Sequence, residues 1–371
     1  MLAAASHLRL GRSKEAFAAL IEARTHAISA GDYALDAELA YYSALFTVGQ
    51  GYAGDARDIV ERGLDSLGEH RGRVESVITP SHAAARLHEM LVVLEAGEGR
   101  YGDAISHARA VVATLQAAPM QDVYLDGYAF MNLAILARDF DLRDSAEICR
   151  RVDLLRWSGD IATVHFTAVE AAGWCAALRG DLVTAFERFR VATDVSTTVP
   201  ERIIVSLDRA LLARESGFAA MAIEELRYAA RLSRTFDWAD AAGDHRRTLL
   251  DLAQISAPLD TAEARAAINR YSRVCRSTDV RFASRREARV QAEEDYTHGL
   301  VLRAEGRLDA SAERLRAAFS TWQQIGYAWR AARAALELAE LGAGEVFRVA
   351  VRRELRERPQ SVFATRARLI A

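Results

Sequence analysis

Gly299-Leu300-Val301-Leu302-Arg303-Ala304-Glu305-Gly306-Arg307-Leu308-Asp309-Ala310-Ser311-Ala312-Glu313-Arg314-Leu315 is the stretch that decides the fold. Two runs rich in Ala, Leu, Arg and Glu meet at Glu305-Gly306-Arg307. Those residues are strong helix formers. Gly306 fits the residue that ends a helix, because it lacks the Cβ that opposes positive φ. Asp309 fits the start of the next helix. The stretch therefore reads as two helices joined by a tight turn.

The same pattern recurs along the chain. Tight breaks fall at Gly11, Gly51, Gly99, Asp141, Gly180, Gly217, Leu259 and Gly306, in steps of 40, 48, 42, 39, 37, 42 and 47 residues. Five residues after each break sits Ala16, Ala56, Ala104, Ala146, Ala185, Ala222, Ala264 or Ser311. Seven residues before each sits Ala4, Ala44, Val92, Ala134, Gly173, Ala210, Leu252 or Gly299. Small residues at these places let two helices approach closely. A bulky apolar residue usually follows four later, as at Leu20, Val60, Phe189, Leu226, Ile268 and Leu315. Looser breaks, such as Ala30-Gly31-Asp32 and Thr197-Thr198-Val199-Pro200, alternate with the tight ones. Eight hairpins in series fit this alternation, and a ninth fits residues 327–357. Sustained period-two alternation is absent, so the fold class is all-α.

This pattern resembles the tetratricopeptide repeat (TPR). That motif has Gly or Ala at its eighth position, Gly at its fifteenth, Ala at its twentieth and a large apolar residue at its twenty-fourth. Gly11/Ala16/Leu20, Gly99/Ala104, Gly173/Gly180/Ala185/Phe189, Gly217/Ala222/Leu226 and Gly299/Gly306/Leu315 match it. Asn132-Leu133-Ala134 looks like the motif's Asn-Leu-Gly turn. The spacing departs from the motif's length of about 34 residues. Arg150 stands where a bulky apolar residue is expected, and Leu259 after Pro258 replaces a glycine. The likeness covers roughly residues 1–340. It implies a right-handed α-solenoid of about nine hairpins, because one hairpin cannot bury its apolar face alone. The first helix of each hairpin would line a concave groove. The expected organisation is a single array over residues 1–371, short in its first repeat, with an Arg-rich helix and tail over 344–371.

Composition narrows the function classes. The chain has 371 residues, 51% of them hydrophobic, which suffices for a large core and argues against disorder. Lys+Arg number 48 against Asp+Glu 51, so the chain is no polycation built for nucleic acid. Lys14 is the only lysine, and so arginine-rich a chain suggests a GC-rich, bacterial coding bias. Cys149, Cys175 and Cys275 are widely spaced, which excludes a disulfide framework and fits a reducing cytoplasm. No stretch is apolar enough for a membrane span, and the N-terminus does not look like a secretory signal.

Catalytic signatures are missing. The sequence contains no phosphate-binding glycine loop, no Gly-x-Ser-x-Gly and no His-Glu-x-x-His. His82 and His88, six apart, fall on different helix faces and make poor metal partners. The three cysteines read as small buried apolar residues. Neither an enzymatic activity nor a cofactor nor a metal is therefore expected.

The groove is where a partner would bind. The TPR register puts Tyr41, Arg86, Glu89, Tyr128, Arg138, Glu170, Trp174, Arg214, Arg246, Tyr296 and Arg303 on its face, with Asn132 beside them. Arginine forks a carboxylate, and a flat ring holds an apolar group at little entropic cost. Such a surface suits a peptide or an acidic organic ligand. Tyr128, Arg138, Glu170 and Trp174 lie on adjacent repeats and form the expected centre. Of the parts of the TPR carboxylate clamp only Asn132 is present, so a chaperone C-terminus is not an expected partner. Arg281, Arg285, Arg286 and Arg289 form one helical stripe, and Arg352, Arg353, Arg356 and Arg358 crowd the C-terminal hairpin. Interleaved Glu and Asp make both read as solvated, internally paired faces rather than nucleic-acid sites.

Ser311–Ala318, Trp322–Gly326 and Ala331–Ala339 look like the TPR sensor arrays of LuxR/MalT-type transcription activators. In that family the array binds an inducer or an inhibitory protein. The resemblance implies a recognition module that takes a protein, a peptide or a small-molecule inducer. No helix-turn-helix pattern follows, so this chain itself is not expected to bind nucleic acid. The alternative is a structural adaptor that self-associates, as a homodimer, through its end repeats.

Overall fold

The computed structural model describes residues 13–49, 53–69, 78–98, 100–116, 132, 136, 162–235, 242–277 and 288–370. The described residues hold sixteen helices and no strand. They belong to two compact units, one spanning residues 1–132 and the other mainly 133–371.

The first unit contains α1 (Ser13–Ala30), α2 (Tyr33–Gly49), α3 (Ala53–Glu69), α4 (Pro80–Gly97) and α5 (Tyr101–Gln116). The second contains α6 (Ala162–Leu178), α7 (Leu182–Val195), α8 (Val199–Glu215), α9 (Ala219–Thr235), α10 (Ala242–Ser256) and α11 (Thr261–Ser277). It continues with α12 (Ala288–Ala304), α13 (Leu308–Gln324), α14 (Ala328–Glu340), α15 (Glu345–Glu357) and α16 (Ala364–Arg368). Consecutive helices pack as hairpins: α2 with α3, α4 with α5, α6 with α7, α8 with α9, α10 with α11, α12 with α13 and α14 with α15. The expected breaks at Gly180, Gly217, Leu259 and Gly306 and the hairpin expected over 327–357 are present. Those at Gly11, Gly51, Gly99 and Asp141 lie outside the described residues.

The tight turns share one construction. At Gly180, φ is +82°, its N–H donates to the Ala177 carbonyl at 3.1 Å, and the Asp181 N–H donates to the Ala176 carbonyl at 3.0 Å. Gly217, with φ +84°, repeats this through Arg214 and Ala213. Two orphan carbonyls at the helix end are thus satisfied, and the chain reverses in two residues. The Asp181 carboxylate then accepts the Thr184 N–H at 3.0 Å and opens α7. Leu259 needs another solution: the Leu259 and Asp260 N–H groups both donate to the Ser256 carbonyl, at 2.8 and 2.6 Å.

The small residues sit where two helices touch. Ala16, Ala56, Ala104, Ala185, Ala222, Ala264 and Ser311 are all fully buried. A Cβ built on Gly173 would stand 2.7 Å from the Phe189 ring, and one on Gly299 would stand 2.7 Å from Leu315. The Ser311 hydroxyl donates to the Gly299 carbonyl at 2.8 Å, joining α13 to α12. Between hairpins, α2 packs on α4, while α8 packs on α10 and α10 on α12. First helices therefore lie beside first helices and can line a common face.

Candidate binding site

Within the second unit, the ends of α8, α12 and α14 wall a recess of about 400 Å³. Arg214 and Glu215 come from the last turn of α8, Leu300 and Arg303 from α12, and Glu337 and Glu340 from α14. Ala257 and Pro258, just beyond α10, complete the protein side, and Arg366 of α16 reaches in.

Charges in the recess are matched to one another. Arg303 Nη1 donates to Glu337 Oε2 at 2.5 Å and lies 2.8 Å from Glu340 Oε2. Arg366 forks Glu340 with two bonds of 2.6 Å and reaches Glu337 Oε1 at 2.8 Å. Arg214 Nη2 pairs with Glu215 at 2.5 Å, and its Nη1 donates to the Gln254 carbonyl at 3.2 Å. Burial pushes the Glu337 carboxyl upward, but Arg366, Arg303 and Arg214 overcome it and hold the group below the usual carboxylate range. The Arg366 guanidinium is correspondingly raised, its bonds to Glu340 and Glu337 outweighing desolvation.

Beside this lattice stands an aromatic wall. Trp174 stacks on Trp329 with centroids 6.1 Å apart, and Trp329 stacks on Phe363 at 5.8 Å. The buried Arg333 guanidinium lies 5.1 to 5.5 Å from the Tyr296, Trp329 and Phe363 rings. Desolvated cation–ring contacts of this kind contribute on the order of 1–2 kcal/mol each.

The structure distributes the expected groove residues unevenly. Arg214 and Arg303, both half-buried, line the recess. Glu170 and Tyr296 are buried, and Trp174, only 3% exposed between Phe189 and Trp329, lines a smaller neighbouring recess with Leu207, Asp251 and Arg330. Arg246 lies on α10, with its side chain outside the described residues, as are Tyr128 and Arg138. Asn132 is buried in the first unit. Over 344–371, the Arg-rich helix α15 ends at Glu357, and the chain after it folds back to the recess through the short α16, with Arg358 buried rather than solvated.

In the first unit, Tyr41, Arg86 and Glu89 are brought together, and all are buried. The Arg86 guanidinium lies 4.8 Å over the Tyr41 ring and donates to Glu89 Oε2 at 3.2 Å. Glu38 stands 3.8 Å from Arg86 and 3.7 Å from His82. Burial pushes the Glu89 carboxyl up to about 7 despite Arg86.

Sequence reasoning passed over Glu215, Glu337, Glu340, Trp329, Phe363 and Arg366. One register was available: Glu215 and Glu340 each stand two residues before a turn glycine, Gly217 and Gly342. Nothing in the spacing announces that Arg366 returns to them. Among the described residues, no group of three or more His, Cys, Asp or Glu side chains could hold a metal ion. No described helix is long and apolar enough to cross a membrane. The fold and the recess define an all-α protein of consecutive helical hairpins with a charge-paired recess. No protein-family description matches the chain, and neither does any curated protein.

Proposed function

We propose that this chain is a non-enzymatic, TPR-like recognition module whose hairpins continue as an α-solenoid and bind a peptide or small ligand at the first-helix face. The observation that carries the reading is the recess between α8, α12 and α14, with Arg303 and Glu337 converging at 2.5 Å on walls that rigid helices supply. Ligand sites are commonly concave, with a few polar groups fixing orientation. The likeness to LuxR/MalT-type sensor arrays extends the proposal to a sensor in a bacterial, cytoplasmic regulatory system.

The test compares the full chain with Arg303→Ala in affinity capture from a bacterial lysate and in thermal-shift screening of small molecules. The expected result is a partner or ligand held by the parent chain and lost, by tenfold or more in affinity, from the variant. A partner bound equally by both would remove the recess from the reading. A helix-turn-helix or nucleotide-binding region encoded alongside would support the regulatory role.

The adaptor reading draws on the second unit's end, where Val346 and Val349 of α15 are 63% and 51% exposed and Leu369 is 85% exposed. Light scattering at high concentration distinguishes it: self-association lost in Val349→Glu supports an adaptor, and a monomer throughout argues against one.

A further inference from the structure

We infer that the carboxylates of the recess and the neighbouring Trp329 face form a guanidinium-recognising peptide site, occupied by the chain's own segment 360–366, and that its partner is a peptide with an aromatic residue three positions before an arginine. This rests on reading the recess as a binding site.

The segment after α15 behaves as a docked peptide. The Val362 N–H donates to the Ala177 carbonyl at the end of α6, at 3.0 Å. The Gln360 carbonyl lies so close to Gly180 that a Cβ there would stand 2.0 Å from it. The Phe363 ring completes the stack on Trp329, and Arg366, three residues on, forks Glu340 and reaches Glu337. Backbone, ring and guanidinium thus each meet a separate part of the second unit, 180 residues away in sequence for the Gln360–Gly180 contact.

Charge says what the site takes. Without Arg366, the lining holds Arg214 and Arg303 against Glu215, Glu337 and Glu340, two positive charges against three negative. The vacancy is one positive charge, and Glu340 offers both carboxylate oxygens to it. A planar guanidinium matches that pair of acceptors, whereas an ammonium cannot fork it. Beside it, the Trp329 ring face, on which Phe363 stacks at 5.8 Å, takes a flat apolar ring. A partner peptide must displace the internal segment, so its apparent affinity is reduced by the fraction of time the segment is docked.

Gly180 and Gly217 provide a built-in control. Both have φ near +80°, so alanine strains either turn alike, but nothing lies within 4 Å of a Cβ on Gly217. Amide hydrogen exchange over 358–370 should therefore accelerate tenfold or more in Gly180→Ala and stay unchanged in Gly217→Ala. In a second arm, a labelled synthetic peptide with the sequence of residues 358–370 is titrated into the full chain and into Arg366→Ala. It should bind Arg366→Ala at least tenfold tighter than the parent chain. The same peptide with alanine in place of its arginine should lose that gain, as should Glu340→Gln introduced beside Arg366→Ala.

Equal exchange in the two glycine variants overturns the docking. No gain in peptide affinity, or a gain indifferent to the peptide's arginine, overturns the ligand class. Should Arg366→Ala fail to fold, the glycine pair still decides whether the segment is a separable ligand. Because the peptide is the chain's own sequence, this test needs no cellular partner. Peptide binding without any captured partner would count against the proposed function alone, and an Arg303-dependent partner without peptide binding would count against this inference alone.

Discussion

His88 and His107 face each other from α4 and α5, with Nδ1 atoms 3.2 Å apart and rings stacked at 5.4 Å. One ring can donate and the other accept only while at least one is neutral. Burial lowers both groups, His107 adds to the lowering at His88, and at His107 the nearby Glu95 and Asp103 raise while Arg57 lowers. Protons therefore prefer the unfolded chain, and the pair's contribution is intact at neutral pH and lost as the pH falls below about 6.5. The stability advantage of the parent chain over His107→Asn should shrink between pH 7.5 and 5.5 in urea unfolding; an advantage that grows on acidification would reverse the sign. Glu89 acts the other way. Its carboxyl, raised to about 7 by burial, binds protons more readily in the folded state, so its contribution is full below about 4.3 and is lost as the pH rises through 7. Relative to Glu89→Gln, the parent chain should lose stability from pH 5 to pH 8, measured by the same unfolding. A six-residue step between His82 and His88 spoke against a shared metal, but no local spacing links His88 to a residue 19 positions away on the next helix. Within one helix, neighbours can be read from the 3.6-residue period; across a hairpin, rotation about each axis intervenes.

A hairpin adds a second helix, and here the sequence is most legible. Turn glycines and buried small residues are local requirements, set by φ and by interaxial distance. They could be read without knowing the rest of the chain. Gly299 illustrates the distance requirement: its missing side chain is the space that Leu315 fills, with Ser311 bonded to the same carbonyl. Alanine there must push Leu315 from α13, and overpacking of this kind costs about 1–3 kcal/mol. Gly68, on α3, has nothing within 4 Å of an added Cβ. Alanine at that position lowers the entropy of the unfolded chain and favours helix, by roughly 0.5–1 kcal/mol. Urea unfolding should therefore move in opposite directions for Gly299→Ala and Gly68→Ala. A gain in both would mean that α12 and α13 do not need their close approach. Leu259 shows the limit of this legibility. The break was readable from Pro258, but its closure through the Ser256 carbonyl is an alternative geometry that no glycine signals.

At the scale of the molecule, legibility falls, because the recess joins residues from three helices, a turn and a returning segment. Arg214 and Arg303 could be placed from their register, yet their partners were not predictable: Glu337 is buried by tertiary packing, and Arg366 arrives from beyond α15. That arrangement sets two arginines in competition for the same carboxylates. Arg303 approaches Glu337 and Glu340 from the helical scaffold, and Arg366 approaches them from the segment. Removing the scaffold arginine leaves the carboxylates more dependent on Arg366. Local and global stability should then separate. Arg303→Ala should lower the unfolding midpoint of the chain, since truncating one partner of a buried ion pair costs about 3–5 kcal/mol when the remaining charge is uncompensated and less here, where Arg366 remains. At the same time, amide exchange over 358–370 should slow several-fold, because regional opening follows its own free energy rather than the global one. Faster exchange over that segment would instead make Arg303 a prop that shapes the carboxylate pair. The two arginines would then act together, and their effects would be cooperative where competition requires them to be opposed.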